Sequence, residues 1–153
     1  MRKFAIFLLF SPLLSTIGHA QDANPHQLKG EELRAVFTDT TILSEYQIFK
    51  GMHKKGYDFI EHHNADGTTH YTENGAPLEQ GLWKIIGGDR ICYQYPASPV
   101  PNQKHCFFIF QDGKCYYNFA LQNMTPSGPK NWDHWWARFV RKGDGGQCGN
   151  SVG

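Results

Sequence analysis

Two hydrophobic periods divide the chain. Over 28–37 the apolar positions Leu33, Val36 and Phe37 fall on one side of a 3.6-residue turn. Glu31 and Glu32 stand at its start, where carboxylates suit the positive end of a helix dipole, so the spacing predicts one short helix. From Thr40 onward the period is two. Strands are predicted over 40–44, 46–49, 57–63, 68–72, 82–86, 90–95, 104–110 and 115–120, most of them rich in aromatic and β-branched residues. Asn64-Ala65-Asp66-Gly67, Gly87-Gly88-Asp89 and Gln111-Asp112-Gly113-Lys114 carry the residues that tight hairpin turns require. The segment 132–140 fits both periods. Trp132, Trp135, Trp136 and Phe139 make a helical stripe, whereas Trp135, Ala137 and Phe139 line one face of a strand, the preferred reading. Between them, 122–130 reads as a loop. Short strands with little room for crossover helices predict a mainly β fold: the helix, then an antiparallel meander closed into a small barrel, with a β-sandwich as the alternative.

The N-terminus follows a different pattern. Arg2 and Lys3 precede an apolar run from Phe4 to Leu14, and Gly18-His19-Ala20 places small residues where a signal peptidase reads, so 1–20 is expected to be a leader cleaved before Gln21. The run is about half the ~20 residues that span a bilayer. No Cys stands at the cleavage position and no twin-Arg pair precedes the run. A free product in the periplasm or outside the cell is the expectation, with 21–27 as a loose polar lead and 28–153 as one domain.

Composition narrows the function classes. The 153 residues hold 15 Lys and Arg against 14 Asp and Glu, and loss of Arg2 and Lys3 with the leader leaves 13 against 14. That balance lacks the concentrated positive field nucleic acid demands, and 11 Phe, 7 Tyr and 4 Trp exclude a disordered chain. Cys92, Cys106, Cys115 and Cys148 are an even set in an exported protein and predict two disulfides from three pairings. The favoured scheme joins Cys92 to Cys106 around the 96–101 loop and Cys115 to Cys148. A cysteine-held metal has no Cys-x-x-Cys spacing behind it.

Histidine supplies the most suggestive chemistry. With a four-residue loop over Asn64 to Gly67, Glu61 would face His70, and alternation would set Glu61, His63 and His70 on one sheet face. That is a possible ligand set for Zn²⁺ or Cu²⁺ with an open coordination position. The plainer reading is a solvated sheet face, because HExxH spacing is missing. Serines lack a Gly-x-Ser-x-Gly setting, and Gly143-Asp144-Gly145-Gly146 lacks the Lys-Ser/Thr ending of a phosphate loop. No residue is nominated as catalytic. Trp132, Trp135 and Trp136 with Arg138 are either core at the barrel end or a patch for a protein or small apolar ligand.

The order of the Gly30-Glu31-Glu32-Leu33-Arg34-Ala35-Val36-Phe37 helix, the Asn64 to Gly67 hairpin, Gly81-x-Trp83-x-Ile85 and Gly88-Asp89-Arg90-Ile91-Cys92 resembles small exported bacterial domains of unknown function over 28–110. The resemblance implies a short helix leading into a barrel-like antiparallel domain, and it transfers no active residues. In outline the chain is also similar to disulfide-stapled periplasmic barrels that block host lysozyme. The expected function is therefore a non-enzymatic envelope domain that binds a protein partner or small ligand without a cofactor. The alternatives are a metal-dependent protein using Glu61, His63 and His70, and an inhibitor of a host or envelope hydrolase.

Overall fold

The computed structural model describes residues 25–47, 56, 58–76, 79–96, 98, 100 and 102–149. The leader 1–20 and the strand expected at 46–49, beyond Gln47, lie outside these residues. In chain order the elements are β1 (His26–Gln27), α1 (Glu31–Phe37), β2 (Thr40–Tyr46), β3 (Asp58–His63), β4 (Thr68–Glu73), β5 (Glu79–Ile86), β6 (Arg90–Gln94), β7 (His105–Asp112), β8 (Cys115–Ala120), a 3₁₀ turn (Leu121–Asn123), β9 (Met124–Thr125), β10 (Gly128–Pro129) and β11 (Ala137–Arg141). Strands β2 to β8 pair in sequence order, all antiparallel, and β11 lies between β8 and β2. The result is a closed eight-stranded up-and-down barrel. This is the barrel expected from the sequence, not the sandwich.

Turn chemistry sets the registers. Gly113 takes φ 58° at the first position of the two-residue turn joining Asp112 to Cys115, the place where a positive φ matches strand twist. Between β3 and β4, Asn64 N–H donates to the Thr68 carbonyl at 2.9 Å, leaving a three-residue loop closed by Gly67 at φ 87°. His63 therefore pairs with Thr69 and His62 with His70. At the other boundary, Gly30 at φ 52° delays α1 to Glu31, because Leu28 N–H already donates to the Ile109 carbonyl at 2.9 Å. His26 and Gln27, expected to be loose, extend the sheet as β1 on β7, opposite Gln111 and Phe110.

Alternation then divides the wall. Ile42, Phe59, Trp83, Ile91, Tyr93, Phe107, Ile109, Tyr116 and Phe139 belong to the main core, into which α1 pushes Leu33, Val36 and Phe37. The helix closes one end of the barrel. Phe37 is fully buried and meets His63, Trp83 and Phe139 at ring separations of 5.0, 6.5 and 5.4 Å. Outside the wall, Phe108, Phe110 and Phe119 form a satellite cluster against Met124 and Trp135 of the excursion between β8 and β11. Both disulfides follow the favoured scheme. Cys92–Cys106 links opposed residues of β6 and β7, and Cys115–Cys148 ties the C-terminal stretch to β8. Among the described residues no helix is long and apolar enough to cross a membrane.

Candidate functional site

At the end of the barrel opposite α1 the described residues do not fill the interior. A cavity with about 80 Å³ open to water-sized atoms remains there, space for several waters at the ~10–15 Å³ each requires. An eight-stranded barrel has an interior of the size that side chains fill or one small ligand occupies; here side chains fill the half next to α1 and a cavity remains in the other.

Seven aromatic rings encircle the cavity in an unbroken series. Tyr46 stacks on Phe59 at 4.6 Å between centroids, Phe59 meets Tyr71 at 5.4 Å, Tyr71 meets Tyr95 at 5.8 Å, and Tyr95 stacks on Tyr93 at 6.2 Å. Tyr93 then meets Phe107 at 6.4 Å, Phe107 meets Trp136 at 6.0 Å, and Trp136 returns edge-on to Tyr46 at 6.5 Å. The collar passes β5 where that strand has no side chain: a Cβ on Gly81 would lie 2.6 Å from the Tyr95 ring. Glycine at this position is what lets Tyr95 fold across the wall.

Below the collar lies a buried polar pair. Glu61 is 3% exposed and His63 0%. His63 Nδ1 faces the Thr40 carbonyl at 3.4 Å, an atom that only accepts, so Nδ1 carries the proton and Nε2 accepts from the Tyr93 hydroxyl at 2.9 Å. Tyr95 donates its hydroxyl to Glu61 Oε1. Thr69 Oγ1 sits 2.8 Å from that oxygen and 2.8 Å from the His62 carbonyl, and its single proton serves one of them.

Burial drives both groups toward neutrality. It raises the Glu61 carboxyl to about 7, against the Tyr95 and Thr69 hydrogen bonds, with Glu79 adding repulsion. It lowers the His63 imidazole to about 3, against its bond to the Thr40 carbonyl. Nearer the mouth, Tyr46 donates to Tyr71 at 3.0 Å and Tyr71 to Glu73 at 2.6 Å. One further polar group has no such arrangement: Asn118 lines the cavity at 5% exposure, and its Oδ1 is buried without a hydrogen-bond partner.

The two shifts oppose each other in a measurable way. The unfolded state binds the His63 proton below about 6.5 and the folded state only below about 3, so this group makes stability rise with pH across that interval. The folded state holds the Glu61 proton up to about 7 and the unfolded state only to about 4.5, so Glu61 makes stability fall as pH rises between those values. The slopes cancel from about pH 4.5 to 6.5. Chemical denaturation should give a plateau there for the natural chain. Glu61→Gln should keep climbing to about pH 6.5 and end about 3 kcal/mol more stable at pH 8. Parallel profiles for the two proteins would refute the assignment of Glu61.

The site residues expected from the sequence are dispersed. Glu61 and His63 point into the barrel, with His63 Nε2 and Glu61 Oε2 3.9 Å apart. His70 pairs with His62 on the outer face, so the metal set Glu61, His63 and His70 does not converge. The register differs by one residue from the four-residue loop, and a one-residue slip turns a side chain to the other face. Among the described residues no group of three His, Cys, Asp or Glu is placed to hold a metal ion. The Trp segment also divides. Trp136 joins the collar, whereas Trp132, 43% exposed, packs on Phe110 and Phe119 outside the wall. Trp135 lies beneath the Arg138 guanidinium, which is paired with buried Glu45 on β2.

Tyr46, Tyr71, Tyr93, Tyr95 and Asn118 are functional candidates that the sequence did not single out. The inward positions of 90–95 alternate Ile91, Tyr93, Tyr95, and two inward tyrosines on one strand are the signal that was available, since buried hydroxyls require partners. No protein-family model, curated protein or solved structure matches this chain, so its site is read from its own geometry.

Proposed function

We propose that this chain is an exported, non-enzymatic binding protein that takes one small polar ligand into the collar-lined cavity. The observation that carries the reading is Asn118, a residue that lines the cavity and whose Oδ1 is an acceptor buried without a partner. A buried acceptor left unpaired costs about 1–3 kcal/mol, and a guest that donates to it recovers that cost. The lining of tyrosines with Glu61 and Glu79 favours a polar occupant over the small apolar ligand expected from the sequence. Export is supported by the leader pattern and by two disulfides with no free cysteine. The polar pair Glu61 and His63 has no hydroxyl or thiol nucleophile beyond its own hydrogen-bonded neighbours Thr69, Tyr93 and Tyr95, which favours binding over catalysis.

Ala137, opposite Asn118 on β11 and facing the cavity, offers the test. A panel of small amines, acids, alcohols and sugars is titrated against the natural chain and Ala137→Leu, with circular dichroism confirming that both fold alike. One-to-one saturable binding that Ala137→Leu abolishes is expected. Binding that survives the filled cavity, or a panel with no binder at all, would overturn the proposal.

A further inference from the structure

We propose that the ligand is a small organic cation, an ammonium group bearing carbon substituents, held within the seven-ring collar between Glu61 and Glu79. The inference rests on the cavity-binding reading above and adds the chemistry of the guest.

The lining is one-sided. Its acidic side chains are Glu61 and Glu79, and no Lys or Arg is among the described residues that line the cavity. Among those residues an anion finds only His105 as a potential counter-charge. The tyrosine hydroxyl protons are already committed within the wall, to Tyr71, Glu73, His63 and Glu61, so they present lone pairs inward. Asn118 Oδ1, buried without a partner on a described residue that lines the cavity, also accepts. Such a site asks its guest for N–H donors or positive charge, and gives a sugar few donors in return. An apolar guest would leave Asn118 unpaired. A bare metal ion would find no set of three ligating side chains among the described residues.

Aromatic rings supply the remaining selection. A cation within about 6 Å of a ring centroid is drawn to the ring's negative face, most strongly when water is excluded, and cages of aromatic rings recognise quaternary ammonium in this way. Here the rings meet one another around a complete circuit, with a carboxyl buried beneath them.

Choline and its neutral carbon analogue dimethylbutanol have the same shape and differ in charge, so the pair isolates the cation. Each is titrated by calorimetry, with intrinsic tryptophan fluorescence as a second readout, against the natural chain, Glu61→Gln and Ala137→Leu. Choline is expected to bind at least tenfold more tightly than dimethylbutanol, to lose at least threefold in Glu61→Gln, and to fail with Ala137→Leu. Equal affinities for the two compounds would overturn the cation class and leave the cavity reading standing. Choline binding retained by Ala137→Leu would place the cation elsewhere and overturn the proposal. If neither compound saturates, the cation class falls; if the wider panel is also silent, the cavity reading falls with it.

Discussion

Phe37→Ala should cost about 4 kcal/mol of stability, the largest loss expected from any single side chain here. Phe37 is fully buried and ends the helix that closes the barrel. Its ring touches residues from three different strands, His63 on β3, Trp83 on β5 and Phe139 on β11. Truncating a buried Phe to Ala removes its transfer energy and leaves a void, together typically 3–5 kcal/mol. Strands tied into a closed sheet have little freedom to collapse into that void. A domain of this size has about 5–15 kcal/mol in all, so the variant should unfold at much lower urea than the natural chain with an unchanged denaturant slope. A loss below about 1.5 kcal/mol would show that the helix does not stopper the core.

Removing the disulfides should have the next largest effect, and the two should differ. In the chain-entropy account, Cys115–Cys148, with a separation of 33, contributes about 4 kcal/mol, and Cys92–Cys106, with a separation of 14, contributes about 3 kcal/mol. Their settings sharpen the contrast. Cys92 and Cys106 already face each other across paired strands, whereas Cys148 brings a stretch without strand structure onto β8 and is itself fully buried beside Val140. Denaturation of the double variants Cys115→Ala/Cys148→Ala and Cys92→Ala/Cys106→Ala, compared with the reduced natural chain, measures each. A larger loss from the shorter loop would contradict the ranking.

Much of the fold was legible because its determinants are local. Period-two patterns separated by Gly-rich turns fixed most of the strands, and their adjacency suggested the disulfides. The failures came where one residue of geometry decides the outcome. The loop after Asn64 has three residues because Gly67 adopts φ 87°, and that shift sends His70 outward and dissolves the expected metal set. In 132–140 the strand occupies only Ala137–Arg141, since each preceding Trp is held by a different neighbour outside any regular repeat. The collar was illegible for another reason. Its circuit runs around every side of the barrel and closes from Tyr46 on β2 to Trp136 just before β11, so no stretch of sequence contains it. Besides the inward Tyr93 and Tyr95, Gly81, bare where Tyr95 crosses the wall, left a trace in the Gly81-x-Trp83 pattern.

The stopper at one end governs traffic at the other. With Leu33, Val36 and Phe37 packed into the base, the barrel is closed to through-flow at that end, and on the proposed binding reading arrival and departure would share the other end, where Tyr71, Glu79, Tyr95, His105 and Trp136 are among the described lining residues. Uptake and discharge would then obey one set of motions, so a substitution there that slows loading would slow unloading too. On that reading the molecule is a cup, with residence time set at the lip.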